Sequence, residues 1–376
     1  QALPCCFSED TLVRKKNNYE KISNLKIGDE VLTIDSSFQK ITDISKVPYK
    51  GIMKEIKIFG NSRKILCTPN HPFLIKEKGF VESKDIKNGD YVAIPINKIE
   101  VIHLFEEKIK IHGNNFKTKS LDFNKLDYWY LMGYFLGDGW LIDSKKEILF
   151  SVADKDVDEV YDRFKSVLGV AKIKNSRSKC VTFSGKNQIL FNVLSKFGKY
   201  AHGKTIPEFI LNAPKENIKE FLKGYQKADG CATKDGISFT TVSDNIAYSL
   251  QLLYAKIGIK ASVYYQSRPK TAVIQGRKKK KKNTYSINIY KSIKKSKNYI
   301  IDNNYLWMKV TNIEDIDFNG FVYNLSVENN HTYNVFNIIN HNCHYGFQIV
   351  MRPLNQNEIE LYSNKYEPEL EFMYEK

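Results

Sequence analysis

Two sets of residues in this sequence have the types and spacing to do chemistry. The first is a pair of carboxylates. The apolar stretch Leu131-Met132-Gly133-Tyr134-Phe135-Leu136-Gly137 ends in Asp138-Gly139, and Leu222-Lys223-Gly224-Tyr225-Gln226-Lys227-Ala228 ends in Asp229-Gly230. At helical spacing Gly133 and Gly137 share one face, which lets a partner helix come close, and Gly224 and Ala228 repeat the arrangement. Side by side, two such helices bring Asp138 and Asp229 together at their C-terminal ends. Adjacent carboxylates repel unless a cation lies between them, so the spacing predicts a divalent-metal site. One Asp-Gly after an apolar helix is an ordinary stop signal; two at the spacing of a repeat are more than that. The second set is scattered: Cys6-Phe7-Ser8-Glu9-Asp10-Thr11-Leu12-Val13, then Cys67-Thr68-Pro69-Asn70-His71-Pro72, then Asn340-His341-Asn342-Cys343. Thiols are nucleophiles and histidines move protons near neutral pH. Singly, these are a buried cysteine, a turn and a chance dipeptide; their order and joint occurrence are what count.

The elements that must position these groups fall into two styles. The middle of the chain repeats itself: Ile148-Leu149-Phe150-Ser151 with Leu168-Gly169-Val170 recurs 89 residues later as Ile237-Ser238-Phe239-Thr240 with Ile257-Gly258-Ile259. Helix-period stretches at 156–168 and 245–257 lie inside each copy. Two units are too few for a solenoid, so the repeat predicts an internal pseudo-dimer. The flanks, 6–96 and 309–340, instead show short β-like runs with turn signals. They predict one all-β domain interrupted by the insert.

The 376 residues allow two or three domains. At 42% hydrophobic, with 22 Phe and 23 Tyr, the chain is not a disordered one. No apolar run is long enough to span a membrane. The first residues lack the pattern of a secretory signal, and six cysteines without a C-x-x-C pair suggest neither zinc nor a disulfide framework. A soluble, cytoplasmic, reducing setting is the expectation. The net charge of +16 is uneven, since residues 97–304 carry +18 and no acidic residue lies between Asp244 and Asp302. That stretch holds Arg268, Lys270, the run Arg277, Lys278, Lys279, Lys280, Lys281 and Lys282, and Lys291. A lysine run alone reads as a solvated loop. Flanked by the alternating stretches Ala261-Ser262-Val263-Tyr264-Tyr265 and Thr284-Tyr285-Ser286-Ile287-Asn288-Ile289-Tyr290, it reads as a basic loop on a β-hairpin. Such a hairpin can lie along a DNA groove and neutralise phosphates.

The middle, roughly 127–301, resembles the LAGLIDADG (dodecapeptide) homing endonucleases. The resemblance implies an αββαββ unit used twice, with the two motif helices as the interface and Asp138 and Asp229 binding Mg²⁺ where duplex DNA is cut. Lys204, in Gly203-Lys204-Thr205-Ile206-Pro207, fits the family's inter-motif block as a basic active-site residue, and Lys291 is a second-copy counterpart. Gln226 and Lys227 depart from the pattern, which is apolar, small or acidic there.

The flanks resemble the splicing blocks of an intein, the Hedgehog/intein (HINT) fold. The opening octapeptide matches the first block and Thr68-Pro69-Asn70-His71 the T-x-x-H block. The run from Tyr323 to Tyr333, followed by His341-Asn342-Cys343, matches the last two. Asn324 stands where the family more often has Asp or Cys. The fold class implied is multidomain, an all-β HINT domain split by an α+β LAGLIDADG domain. Its segments are an N-extein remnant at 1–5, HINT halves at 6–96 and 302–342, a linker or accessory segment at 97–126, the endonuclease at 127–301 and a C-extein at 343–376. In the splicing this implies, Cys6 attacks the carbonyl of Cys5 with His71 as proton donor, and Thr68 and Asn70 hold His71 or polarise that carbonyl. Cys343 then takes over the acyl group, and Asn342 cyclises with His331 and His341 assisting. Cys5 is a rival nucleophile that the block register disfavours. Splicing needs no cofactor and acts on the exteins in cis. The endonuclease needs Mg²⁺ and a double-stranded site in the intein-less host gene. A monomer is expected. Because the flanks carry every splicing group, joining about residue 96 to about 305 should leave splicing intact. A free-standing endonuclease would leave Cys6, His71 and Asn342 unused, and a Hedgehog-like domain would leave His341-Asn342-Cys343 unused. An insert that binds DNA without cutting it stays open.

Overall fold

The computed structural model describes residues 5–112, 115–174, 179–267, 271–274, 277–280, 283–290 and 297–342. The two flanks interleave. The strand Phe38–Ile58 runs antiparallel to Tyr305–Val327, in register from Ile58↔Val310 to Ile41↔Val327, with irregularities near both ends that let the ribbon bend. Short strands close around it. Phe7–Ser8 pairs with Tyr323 and Val322 on one side and with Cys67 on the other. Ile338–His341 pairs with Thr332–Val335 and, through Asn340↔Phe73, with Pro72–Ile75. Segments near 6, 67–71 and 340–342 thus come within a strand spacing or two, each of about 4.8 Å.

The insert is built on four main helices: α1 (Leu126–Asp138), α2 (Val157–Leu168), α3 (Lys215–Asp229) and α4 (Asp244–Lys256). Helices α1 and α3 touch backbone to backbone. A Cβ on Gly133 would lie 1.8 Å from the Phe221 carbonyl oxygen, and one on Gly224 would lie 1.9 Å from that of Tyr130. Only glycine fits at either place. Each helix is followed by a four-stranded arrangement of the same order: Gly139–Ile142, Glu147–Ala153, Cys180–Gly185, Ala171–Lys174 after α1, and Cys231–Thr233, Gly236–Thr241, Thr284–Tyr290, Ala261–Gln266 after α3. Helix α2 has one apolar face, with Val160, Phe164, Val167 and Leu168 buried, and stops at Gly169 in the left-handed region. Helix α4 starts where Ser243 accepts the Ile246 N–H, and every residue from Ile246 to Lys256 is buried. A helix covered all round lies between two bodies. Here they are its own sheet and the splicing flank.

Within 97–126, expected as a linker or accessory segment, Glu106–His112 pairs with Asn115–Ser120 as an antiparallel hairpin. Within the basic run, Arg277–Lys280 is a strand paired with Thr271–Ile274, so that part is an extended ribbon rather than an open loop.

The insert is also not a bead on a linker. Its strand Ala261–Gln266 meets the flank strand Asn61–Cys67, with the Val263 N–H donating to the Gly60 carbonyl (2.8 Å). Buried Arg14 of the flank donates to Ser249 Oγ of α4 (3.2 Å) and stacks on Tyr19. The turn Phe336-Asn337, which joins the last two strands, has both residues at positive φ (47° and 68°). Two such residues make the mirror-image turn of a tight hairpin, a strained conformation for Phe. Helix α4 grips this turn. Asn337 Nδ2 donates to the Tyr248 carbonyl and to Gln251 Oε1 (2.9 Å each), and the Phe336 ring packs on Tyr248.

Candidate active site

Cys6 opens the strand Phe7–Ser8 and is fully buried. Its amide N–H donates to Thr68 Oγ1 (2.8 Å), and its carbonyl accepts the Thr68 N–H (2.9 Å). Thr68 thus holds the amide nitrogen of Cys6 through its hydroxyl and His71 through its carbonyl, which accepts the His71 N–H (3.1 Å). The turn carrying Thr68 is locked by a residue that sequence reading missed. Ser83 Oγ donates to the carbonyls of Thr68 (2.8 Å) and Pro69 (2.9 Å), while its N–H donates to the His71 carbonyl (2.8 Å). Asn70 lies in this turn, its carbonyl 3.4 Å from Cys5 Sγ. The Cys6 side chain is a thiol.

His71 is fully buried at the start of Pro72–Ile75, packed against Phe7 at 4.1 Å between centroids. Burial pushes its pKa down to about 4, partly opposed by hydrogen bonds to Asn340 and to the Cys5 backbone, with His341 nearby adding to the depression. At neutral pH the ring is therefore uncharged and must receive a proton before it can give one. The Tyr333 hydroxyl, raised in pKa by burial and by Cys6, donates to Asn324 Oδ1 (2.8 Å). Asn324 thus serves as a neutral acceptor for that hydroxyl.

At the other end, Asn342 is buried beneath the turn before Thr332–Val335. Its N–H donates to the His331 carbonyl (2.8 Å), its side-chain Nδ2 donates to the same oxygen (2.6 Å), and its Oδ1 accepts the Val327 N–H (3.1 Å). His341 Nδ1 lies 2.5 Å from the Asn342 carbonyl oxygen and can only donate to it. That contact polarises the carbonyl an attacking side-chain nitrogen would need. His331 meets Asn342 through its backbone, its ring 6.4 Å from that of His341. Cys343 lies outside the described residues.

The carboxylates form a separate centre. Asp138 and Asp229 close α1 and α3. Burial and then Asp229 push Asp138 up to about 6, against the pull of Lys204. Burial raises Asp229, opposed by the Lys204 ammonium and the Tyr225 hydroxyl. Lys204 Nζ donates to the carbonyls of Leu136 (2.7 Å), Gly137 (3.0 Å), Phe135 and Gly139 (3.3 Å each). It caps the end of α1, where helical carbonyls lack partners and a cation is favoured. Among the described residues no group of three or more His, Cys, Asp or Glu could hold a metal. Two facing carboxylates still fit Mg²⁺, a hard cation often held by one or two carboxylates with phosphate and water completing the shell. Of the basic residues named for DNA, Arg277, Lys278, Lys279 and Lys280 form a strand, while Arg268, Lys270, Lys281, Lys282 and Lys291 lie outside the described residues.

The chain is similar in sequence to known proteins. The ATP-dependent DNA helicase Hel308 of Methanocaldococcus jannaschii is 27% identical over 312 residues, covering 77% of this chain and 24% of that protein. The NrdEB alpha subunit of ribonucleoside-diphosphate reductase from Bacillus subtilis is 25% identical over 303 residues, covering 70% of this chain and 26% of that protein. The chain thus spans about a quarter of either relative. Among solved structures, a variant of the Ssp DnaB mini-intein aligns over 90% of this chain and 99% of its own, at 10% identity and a TM-score of 0.33. Variants of the homing endonuclease I-DmoI align over 44% of this chain and 83% of their own, at 12% identity and a TM-score of 0.31. Neither structural likeness is close enough to build on. No helix among the described residues is long and apolar enough to cross a membrane. The model of the intein splicing domain matches residues 11–342, most of the sequence and every segment of the first centre after Cys6. The chain belongs to the intein splicing domain family.

Proposed function

We propose that this chain excises residues 6–342 and joins residues 1–5 to the segment beginning at Cys343. The observation that carries the reading is that both junctions are held by their chemical partners at once: the Cys6 amide by Thr68 and the Asn342 carbonyl by His341. Cys6 Sγ attacks the Cys5 carbonyl carbon; the C–N bond breaks and a thioester forms, with His71 carrying the thiol proton to the departing nitrogen. The thiol of Cys343 then displaces Cys6 Sγ. Asn342 Nδ2 attacks its own carbonyl, activated by His341, and the bond to Cys343 breaks. A last S-to-N shift restores an amide between Cys5 and Cys343. Intact mass under reducing conditions tests this. A 337-residue excised product beside a ligated 39-residue product is expected. Soluble, folded chain that yields neither would overturn the reading.

We further propose that the insert is a LAGLIDADG-type pseudo-twofold αββαββ domain that cuts duplex DNA at the host-gene site lacking the insertion. Its support is the carboxylate pair at the glycine-packed helix ends. Asp138 and Asp229 would hold Mg²⁺, which when bound stabilises charge on the attacking and leaving oxygens. Lys204 fixes the helix end carrying Asp138, and the basic run 277–282 with Arg268, Lys270 and Lys291 contacts phosphates. Incubation of the site with Mg²⁺ and the Asp138→Asn variant as control is the test. Tight, salt-sensitive binding by the unaltered chain without cutting would reduce the insert to a binding domain.

A further inference from the structure

The strand Ile338–His341 carries two polar side chains, Asn340 and His341, and Asn340 has no exposed surface. A buried amide in a core strand costs stability unless its groups are used. Here both ends are used. Nδ2 donates to the Tyr333 carbonyl (2.7 Å), which fixes which end of the amide faces the other way, and Oδ1 lies 3.1 Å from His71 Nε2. A carbonyl oxygen can only accept, so the hydrogen must be on Nε2. In the neutral ring with its hydrogen on Nε2, Nδ1 is bare and faces Cys5, 3.5 Å from its sulfur, and the Cys5 backbone acceptor is met only once the ring is charged.

We infer that Asn340 is a positioning residue for the first step of splicing: it holds His71 as the Nε2–H tautomer, so that Nδ1 serves first as base and then as acid. The inference rests on the splicing reading. In the step, the Cys6 S–H proton moves to Nδ1 as the C–S bond forms. The same proton passes from Nδ1 to the Cys6 nitrogen as the C–N bond breaks. No proton is gained or lost. While both nitrogens are protonated, the Asn340 oxygen faces the charged ring and stabilises it. Of the titratable groups near the ring, His341 on the Asn340 strand bears on the imidazole charge, and the Tyr333 hydroxyl lies on the far side of Phe7.

The experiment uses the full chain with Asn342→Ala, so that precursor accumulates, under reducing conditions. Release of the first segment by dithiothreitol reads the first step. ¹⁵N-histidine NMR reads the tautomer. Without any thiol-induced release, the splicing reading itself fails. With release, Asn340→Leu is expected to slow it roughly 10-fold or more and to change the His71 tautomer. Asn340→Asp keeps an acceptor and adds a charge. It is expected to hold the rate within about threefold of the parent and to move the acid limb of the rate profile up by about one pH unit or more. If Leu does not fold, the Asp variant decides alone. An unchanged tautomer and rate with Leu, or an unmoved acid limb with Asp, overturns the inference.

Discussion

The two centres are built by opposite means. The carboxylate pair stands at the ends of two helices whose contact depends on glycines a few residues away in sequence. The junction centre stands on short strands whose partners lie hundreds of residues off, as in Phe7↔Tyr323 and Asn340↔Phe73. A helix end is placed by local periodicity, while a sheet site is placed only when register is settled across the whole domain. The electrostatics differ as well. The helix-end site keeps like charges close and suits a cation. The junction site is nearly free of charge, holds its histidine neutral and works through hydrogen bonds.

The largest expected effects separate the two centres outright. Asn342→Ala abolishes ligation and leaves Mg²⁺-dependent DNA cutting, whereas Asp138→Asn does the reverse; mass spectrometry and a plasmid-cutting assay read the two. Loss of both activities in either variant would break the comparison.

Next comes Gly133→Val, which forces α1 and α3 apart at a point where a Cβ has no room. It should cost about 3 kcal/mol or more in urea unfolding. Splicing should fall with it, because α4 also holds the splicing flank. Unaltered splicing in a chain whose insert has melted would show the flanks to be self-sufficient.

A smaller change is expected from Asn337→Ala, which removes two buried hydrogen bonds to α4 and one from the Tyr19 hydroxyl, about 2–4 kcal/mol in all. Cleavage before Cys343 should slow several-fold, while thiol-induced release at Cys6 holds. Equal slowing at both ends would place the effect on the whole domain rather than on the last hairpin.

The smallest effect concerns pH. Asp138 titrates higher in the folded chain than in the unfolded one, so the folded state binds the extra proton between about pH 4 and 6. Stability contributed by this group is therefore lost as pH rises through that window. Without metal at pH 7.5, Asp138→Asn should raise the melting temperature by about 2 °C. A lower melting temperature would mean that the carboxylates are not in mutual strain.

The contrast also explains what could be read from sequence. Gly133, Gly224, Asp138 and Asp229 were legible because their spacing on one helix face is local. The pairing of 261–265 with 284–290 was legible from strict alternation. Asn340 was not, since its partner is 269 residues away and depends on a one-residue register. Ser83 looks like any surface serine until its carbonyl partners in the Thr68 turn are seen. The hold of α4 on Phe336-Asn337 was hidden as well. Helical periodicity marked 245–257 as a helix, yet nothing in a single helix says that both of its faces are covered.

That hold has a consequence for how such a chain can decay. A point change at Asp138 would end any cutting of DNA while the ligated host product went on being made, so nothing acting on the host would oppose it. Clean excision of 97–304 is another matter. It would strip the cover from Arg14, Tyr19 and a turn that keeps Phe336 in an unfavourable backbone state, so on the splicing reading an idle insert is easier to inherit than a missing one.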